Sequence, residues 1–191
     1  MGLEELFGRI EKRFGKEAVV GNDIKVDTVS SGSMALDEIL GGGFALGRIH
    51  EIYGGFSSGK SSAALHLSAS VQKTLGKAVG YVDTEQALDL EYAKALGVDL
   101  SRDKWIMSQP DSAEQALEIV REMLEVPEIG LVVLDSVAGL VPEAVLQGEA
   151  GDAKIALVAR LMSQQLSILK NVCKKNGNIL LCINQTRQKI G

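Results

Sequence analysis

Residues 54–61, the phosphate loop, carry residue types and a spacing that suit a chain of phosphates. They fit the pattern G-x-x-x-x-G-K-[ST] and lie between an apolar run that predicts a strand and a segment that predicts a helix. The glycines let successive backbone N–H groups and the helix N-terminus face the phosphates. Lys60 would place its ammonium against the β- and γ-phosphates, and the Ser61 hydroxyl would bind Mg²⁺. The predicted nucleotide contacts here are Gly54, Gly55, Phe56, Ser57, Ser58, Gly59, Lys60, Ser61 and Ser62.

Asp135 is the candidate anionic partner of the magnesium ion. It closes the apolar run 131–135, and a carboxylate at the end of a buried strand would lie at the carboxyl edge of a parallel sheet. Asp135 followed by Ser136 could instead begin a turn. The complete phosphate loop favours the metal ligand over the turn.

Two more residues follow predicted strands and suit the chemistry of the γ-phosphate. Glu85 lies just beyond the run 78–83 and is the candidate base for the attacking water. Asp83 is the competing carboxylate, but it ends the strand and could cap the following turn. Gln185 follows another apolar run and carries a neutral amide that could sense the γ-phosphate, with a surface polar residue as the alternative.

Alternating strands and helices after Arg48 predict how these residues are brought together. The clearest helices are a segment after Asp111, with Asp111 and Glu114 as a capping box, and a long segment at residues 153–175. Near-continuous apolar strands between helices indicate an α/β fold with a mostly parallel sheet covered by helices on both faces. The predicted strands are residues 49–53, 78–83, 105–108, 131–135 and 179–184.

Composition limits the class of protein. The 191 residues suit one compact domain, and the net charge of -5 argues mildly against broad electrostatic attachment to nucleic acid or anionic membrane. No apolar run approaches the ~20 residues of a membrane span. Cys173 and Cys182 lie in apolar segments without a partner at metal-ligand spacing. We therefore expect a soluble, cytoplasmic protein with buried thiols and no membrane partner.

The N-terminal residues predict an amphipathic helix that ends at Gly15. A polar joint, residues 21–27, separates this helix from the rest of the chain. An arm that docks on another surface and a helix that packs on its own domain both fit this pattern. The apolar residues that recur at helical spacing are Leu3, Leu6, Phe7, Ile10 and Phe14.

Further sequence blocks follow one another from Ser30 to the last residue. They are Ser30-Ser31-Gly32-Ser33 with Leu36-Asp37, Gly47-Arg48-Ile49 leading to Ser61, Asp83-Thr84-Glu85-Gln86-Ala87-Leu88-Asp89, Ser108-Gln109-Pro110-Asp111, Asp135-Ser136-Val137-Ala138, Gly148-Glu149-Ala150-Gly151-Asp152, Ala159-Arg160-Leu161-Met162-Ser163-Gln164, and Ile183-Asn184-Gln185-Thr186-Arg187-Gln188-Lys189-Ile190-Gly191. In order and spacing these blocks resemble the bacterial RecA recombinases. They are more specific than the phosphate loop, which many ATPases share.

The resemblance implies a RecA-type P-loop NTPase fold and an ATP-driven filament on single-stranded DNA. Such a filament pairs with double-stranded DNA and exchanges strands in recombination, repair and the SOS response, with ATP and Mg²⁺ as cofactors. By motif position the resemblance implies that Lys60, Ser61 and Asp135 bind the triphosphate and the metal. It also implies that Glu85 activates the attacking water and that Gln185 senses the γ-phosphate. Asp89 and Tyr92 would hold the adenine.

Two loops grip DNA in that family, and they correspond to residues 143–154 and the segment after Gln185. The first loop is acidic, so its contacts would be backbone N–H groups and helix ends rather than bulk charge. The resemblance also divides the chain into a polymerisation arm, residues 1–24, which adds a strand to a neighbouring subunit, and an ATPase core, residues 25–191. The candidate DNA contacts are Gly148, Gly151, Arg160, Arg187 and Lys189.

The sequence departs from the family pattern at its end and at three positions. It stops at Gly191, inside the second DNA loop, so we expect the isolated chain to bind ATP better than it hydrolyses it, because phosphoryl transfer gains from a cation supplied in trans. Ser167 stands where a basic DNA contact is common, Gln86 where a histidine is usual, and Phe56 is unusual in the phosphate loop. A truncated subunit that binds ATP and modulates another recombinase's filament without catalysis is the alternative.

Overall fold

The computed structural model describes residues 2–19, 25–148 and 154–186 of the chain. Every strand predicted from the sequence is present, with its ends displaced by at most two residues. The α-helices in these ranges are α1 (Leu3–Phe14), α2 (Met34–Ile39), α3 (Lys60–Leu75), α4 (Leu90–Ala95), α5 (Ala113–Glu125), α6 (Glu143–Leu146) and α7 (Lys154–Asn176). The strands are β1 (Thr28–Val29), β2 (Phe44–Ala45), β3 (Ile49–Gly54), β4 (Ala78–Asp83), β5 (Trp105–Ser108), β6 (Ile129–Asp135) and β7 (Ile179–Gln185).

The five longer strands form one parallel sheet in the order β3-β7-β6-β4-β5, while β1 and β2 pair antiparallel beside it. β7 lies between β3 and β6. In this register Gly54 lies opposite Gln185, and Asp83 lies opposite Asp135. Because parallel strands end at the same edge, the sheet brings the end of the β3 strand and the candidate polar residues together.

Helices cover both faces of this sheet, as predicted. α3 packs on one face, and α5 and α7 pack on the other. Successive strand residues point to opposite faces, so Val79 and Tyr81 of β4 belong to the core under α3, whereas Ala78 and Val82 belong to the core under α5. None of the described helices has the length and apolar character that a membrane crossing requires.

Both cysteines are buried and free, as expected. Burial raises the pKa of Cys173 to about 11 and that of Cys182 to about 12. Thiols with such values stay protonated at neutral pH and are poor nucleophiles. Both side chains are therefore parts of the apolar core.

The start of α5 corrects one expectation from the sequence. The capping box predicted at Asp111 and Glu114 is wrong by one residue, because Ser112 is the N-cap and its hydroxyl accepts a hydrogen bond from the Gln115 backbone N–H at 3.2 Å. The Gln115 side chain in turn accepts a hydrogen bond from the Asp111 N–H at 2.8 Å. Both pairs fit the spacing of a capping box, and full burial of Ala113 selects the register that is used.

α1 lies on the surface and contains no buried residue. Its apolar side chains Leu3, Phe7 and Phe14 are 72%, 45% and 66% exposed. In this structure α1 therefore does not pack into the core of its own domain. Residues 20–24, which include most of the predicted joint, lie outside the described residues.

Candidate nucleotide site

The phosphate loop connects β3 to α3, because β3 ends at Gly54 and α3 begins at Lys60. Ser57 and Gly59 adopt left-handed backbone conformations, with φ of 54° and 83°. Turns of this kind direct backbone N–H groups into one concave surface. The Lys60 Nζ donates hydrogen bonds to the carbonyl oxygens of Gly55 at 2.7 Å and Gly54 at 3.3 Å. The ammonium group therefore lies against the loop backbone.

Ser61 and Asp135 meet across the edge of the sheet. The Ser61 hydroxyl, on the first turn of α3, donates a hydrogen bond to Asp135 Oδ2 at 2.7 Å. Hydroxyl and carboxylate oxygens are the ligands that Mg²⁺ prefers in proteins. The side chains that the sequence indicated as metal ligands are thus within reach of a single ion.

Tyr81 of β4 reaches the same carboxylate from inside the sheet. Its buried phenol O–H donates to Asp135 Oδ2 at 2.6 Å. Burial, followed by the nearby charge of Asp135, raises the pKa of Tyr81 far above its ordinary value, so the phenol stays a donor.

Burial of the carboxyl raises the pKa of Asp135 above its ordinary value. The hydrogen bonds from Tyr81 and Ser61 act in the opposite direction and lower this pKa. The negative charges of Glu85 and Asp83 raise it further. Burial thus disfavours the charge of Asp135, and a divalent cation held by Asp135 and Ser61 would stabilise that charge, so the site fits Mg²⁺.

Glu85 is held by one donor at the end of β7 and one donor that directly follows β6. Its Oε1 accepts a hydrogen bond from Gln185 Nε2 at 2.8 Å and another from the Ser136 hydroxyl. The Ser136 oxygen also accepts a hydrogen bond from the Gly139 N–H at 3.1 Å. The candidate base and the candidate γ-phosphate sensor are therefore in direct contact, although they lie far apart in the sequence.

Asp83 caps the turn after β4, as its alternative interpretation allowed. Its buried carboxylate accepts hydrogen bonds from the backbone N–H of Glu85 at 3.2 Å and of Leu88 at 3.1 Å. Gln109 Nε2 donates to it at 3.3 Å. Asp83 is thus used by the local structure, and Glu85 remains the candidate base.

Asp89 and Tyr92 lie at the start of α4. Asp89 is the N-cap residue, and its Oδ1 accepts hydrogen bonds from the backbone N–H of Glu91 at 2.9 Å and of Tyr92 at 3.0 Å. The Tyr92 hydroxyl donates to Ser62 Oγ at 3.2 Å, and its side chain is 45% exposed. The Tyr92 ring therefore lies beside the helix that carries Lys60 and Ser61, where a base could stack on it.

The candidate DNA contacts are described only in part. Gly148 follows α6, which forms the beginning of the predicted first DNA loop, and Arg160 is exposed on α7. Gly151, Arg187 and Lys189 lie outside the described residues. Phe56, unusual in the phosphate loop, is 85% exposed.

An apolar cleft of about 540 Å³ lies on the α7 face of the sheet, and its lining includes Gln185 but neither Ser61 nor Asp135. Its lining includes Ile49, Val158 and Met162, and no lysine or arginine is found among the lining residues in the described part of the chain. A triphosphate carries several negative charges and needs cationic or N–H partners. The cleft therefore does not suit a nucleotide.

A strand, a phosphate loop and a helix, set on a five-stranded parallel sheet between layers of helices, define an α/β P-loop nucleoside-triphosphate-binding fold. Comparison with known families then specifies the type. A family model described as the RecA N-terminal domain matches residues 2–191, and the chain belongs to this family. The resemblance inferred from the sequence blocks is confirmed.

The chain is also similar to curated proteins named Protein RecA. It is 50% identical to that of Latilactobacillus sakei over 99% of this chain and 54% of that protein. The corresponding values are 50%, 99% and 58% for Lactobacillus delbrueckii, and 47%, 99% and 55% for Listeria monocytogenes. The chain spans a little more than half the length of these relatives.

Sequence reasoning missed two contacts of the site. Tyr81 occupies the middle of an apolar strand, where a tyrosine is typical of the core, and the only signal was that a buried phenol needs a hydrogen-bond partner. Ser136 was considered only as part of a turn, whereas its hydroxyl contacts Glu85. Neither partner is predictable from local spacing, because Tyr81 and Asp135 lie on different strands and Glu85 and Ser136 follow different strands.

Proposed function

We propose that the chain binds ATP and Mg²⁺ at the phosphate loop and acts as a DNA-dependent ATPase and recombinase. In this proposal it forms filaments on single-stranded DNA, pairs them with double-stranded DNA and exchanges strands in recombination and repair. The strongest support is the meeting of the phosphate loop, the Ser61–Asp135 pair and the Glu85–Gln185 pair at one edge of the sheet. Membership of the RecA family supports the DNA-related part. The buried free thiols fit the reducing cytoplasm, where we place the protein.

Nucleotide binding requires Lys60 to change partners. Its ammonium donates to two neutral carbonyl oxygens of the loop, at Gly54 and Gly55. Hydrogen bonds to phosphate oxygens are charge-assisted and stronger, so the side chain would exchange these carbonyls for the β- and γ-phosphates. Ser61 and Asp135 would hold Mg²⁺, which when bound neutralises charge on the triphosphate.

Glu85 would accept a proton from the attacking water. Its Oε1 accepts hydrogen bonds from the Gln185 amide and the Ser136 hydroxyl. If the Gln185 amide turns to the γ-phosphate, Glu85 loses one donor and becomes a better base. Gln185 also directly precedes the predicted second DNA loop, so the same movement would link the state of the nucleotide to DNA binding.

Titration of the purified chain with ATP and Mg²⁺ in a calorimeter tests the nucleotide site. We expect saturable binding by the wild-type chain and a loss of at least about 100-fold in affinity for Lys60→Ala, because charge-assisted contacts to the phosphates are removed. Lys73→Ala is the matched control, since Lys73 is exposed in the last turn of the same helix and should bind ATP like the wild type. An unchanged ATP affinity of Lys60→Ala would contradict the proposal that residues 54–61 bind the nucleotide.

Self-association is supported by two surfaces. α1 exposes its apolar side chains, and β5 forms an outer edge of the sheet, with Ile106 39% exposed. An unpaired edge can accept an added strand from another subunit, and an apolar helix face gains free energy when a neighbour covers it.

Electron microscopy with single-stranded DNA and a slowly hydrolysed ATP analogue tests the filament. Regular filaments formed by this chain are the expected result. If the chain instead forms discrete particles and shortens the filaments of a full-length relative, its function would be to modulate filaments and not to act as a recombinase.

A further inference from the structure

The phenol of Tyr81 contacts the nucleotide site from within the core. Its hydroxyl donates to Asp135 Oδ2 at 2.6 Å, and the side chain is fully buried, with 0% of its surface exposed. Tyr81 faces the α3 side of the sheet, the side on which Ser61 contacts the same oxygen. The phenol is thus too deep to touch a nucleotide but is in direct contact with the candidate metal ligand.

The position of the Tyr81 hydroxyl is fixed by its surroundings. The ring packs beside Trp105, with ring centroids 5.4 Å apart and an interplanar angle of 30°. The backbone of β4 is paired with β5 on one side and β6 on the other, and Tyr81 lies opposite Val133, two residues before Asp135. Because side chains two residues apart on a strand share a face, the ring points along this face toward the carboxylate.

The two oxygens of Asp135 have different surroundings. Oδ2 accepts hydrogen bonds from both Ser61 and Tyr81, whereas Oδ1 accepts none from the residues that the structure describes. Ser61 is itself a candidate metal ligand, so only the Tyr81 contact is dedicated to orienting the carboxylate. Outer-sphere hydrogen bonds of this kind fix the rotation of a metal ligand.

Building on the proposed nucleotide site, we propose that Tyr81 is a positioning residue for Asp135 that raises the affinity of the site for the divalent cation accompanying ATP. The phenol holds Oδ2 and keeps the carboxylate from rotating, so that Asp135 would be oriented in advance to bind a divalent cation. The residue acts through Asp135 and touches neither nucleotide nor metal.

Tyr81→Phe removes one oxygen atom and keeps the ring, so it isolates the hydrogen bond. The test is the Mg²⁺ concentration that gives half-maximal binding of a slowly hydrolysed ATP analogue. We expect this concentration to rise by about 10-fold, the lower end of the range for lost outer-sphere contacts, while nucleotide binding in EDTA stays unchanged. Tyr53→Phe is the matched control, since Tyr53 is 70% exposed on β3 and should leave the Mg²⁺ dependence as it is.

A double-mutant cycle separates positioning from a general effect on the fold. In an Asp135→Asn background Tyr81→Phe should cause no further shift in the Mg²⁺ dependence, because the hydroxyl acts through this carboxylate. An unchanged or lowered half-saturating Mg²⁺ concentration in Tyr81→Phe, or an equal shift in both backgrounds, would overturn the role. Loss of the folded state of Tyr81→Phe in EDTA would also overturn it, by making the hydroxyl structural.

Failure of this role can be told apart from failure of the nucleotide site. A wild-type chain that does not bind the analogue with Mg²⁺ would contradict both the nucleotide site and the role of Tyr81. A wild-type chain that binds it, with Tyr81→Phe behaving identically, would remove only the role of Tyr81.

Discussion

The carboxyl edge of the sheet and the N-terminal helix α1 present their side chains in opposite ways. At the edge, Ser61 and Tyr81 share one oxygen of Asp135, while Ser136 and Gln185 share one oxygen of Glu85. On α1 the apolar side chains face outward, with Leu3 72% exposed, and no residue is buried. The polar side chains at the edge have hydrogen-bond partners within the chain, whereas the apolar side chains of α1 are exposed to solvent.

This difference indicates two kinds of partner. Side chains that are already oriented lose little conformational entropy when a small ligand binds, which suits ATP and a metal ion. An apolar helix face gains free energy only when another surface removes it from water, which suits a second subunit. Substitutions in the two regions should therefore separate nucleotide chemistry from self-association.

Glu85→Gln, at the carboxyl edge of the sheet, should give the largest effect of the substitutions, and this effect should be on ATP turnover. Removing the base should lower ATP turnover by at least about 100-fold, since general base catalysis contributes 10²- to 10⁴-fold. ATP affinity should change by less than about 3-fold, because the amide keeps the shape of the side chain and its carbonyl oxygen can still accept the hydrogen bonds of Gln185 and Ser136. Single-turnover assays with radiolabelled ATP measure the first quantity and calorimetry the second. Glu91→Gln, at an exposed position of α4, is the control, and equal turnover in both variants would contradict the role of Glu85.

Phe7→Glu, on α1, should have the next largest effect, and this effect should be on self-association. Burying a phenylalanine contributes about 1.5–3 kcal/mol, so losing it should weaken self-association by about 10- to 100-fold without changing ATP affinity. Sedimentation with single-stranded DNA and an ATP analogue measures the assembly. Gly8→Glu is the matched control, because it adds the same charge at a position on the other side of the helix. Equal loss in both variants would show that charge, and not the apolar face, matters.

Glycine substitutions should show a smaller contrast in stability. A Cβ at Gly139 would overlap Thr84 Oγ1 and lie 3.1 Å from Glu85 Cγ, whereas a Cβ at Gly8 on α1 meets nothing within 4 Å. Gly139→Ala should therefore lower the free energy of unfolding by about 1–3 kcal/mol, as overpacking does. Gly8→Ala should leave it unchanged or raise it by up to about 1 kcal/mol, because Gly8 lies within α1 and alanine favours a helix more than glycine does. Urea denaturation measures both, and equal values would mean that the two regions are packed alike.

Asp135→Asn should have the smallest effect, visible in the pH dependence of stability without metal. Burial raises the folded-state pKa of Asp135 above its unfolded value, so the stability that this group contributes is present at low pH and is lost as pH rises through the folded-state pKa. The variant should melt at a higher temperature than the wild type at pH 7 in EDTA, and the difference should shrink as pH falls toward about 4, the ordinary pKa of aspartate. Asp103→Asn, at an exposed position, is the control. A less stable Asp135→Asn chain at pH 7 would contradict the electrostatics of the site.

The sequence predicted a feature correctly where all the residues that define it lie in one strand or one loop. The apolar runs of the sheet are bounded by polar residues, so the strands were predicted closely, and residues 54–61 connect a strand to a helix as their contiguous motif predicts. β6 begins at Ile129, two residues earlier than predicted, because Gly130 interrupts its apolar run. The register of α5 was missed because Asp111–Glu114 and Ser112–Gln115 both have the spacing of a capping box, and only packing decides between them.

Contacts between strands were beyond the reach of sequence spacing. Asp135, Glu85 and Gln185 were predicted to lie at one edge of the sheet because each ends or follows an apolar run, and parallel strands bring such ends together. The Tyr81 hydroxyl and the Ser136 hydroxyl depend on the order and register of β4, β6 and β7, which periodicity does not reveal. The short elements β1, β2, α2 and α6 were not predicted, since a few residues carry no clear period.

A crystal structure of the chain with Mg²⁺ and a slowly hydrolysed ATP analogue tests the central claim most directly. We predict that the phosphates lie on residues 54–61, with Lys60 Nζ moved from the Gly54 and Gly55 carbonyls to the β- and γ-phosphates and with Ser61 and Asp135 at the metal. Nucleotide bound in the apolar cleft beside α7, with Lys60 still on the loop carbonyls, would contradict it.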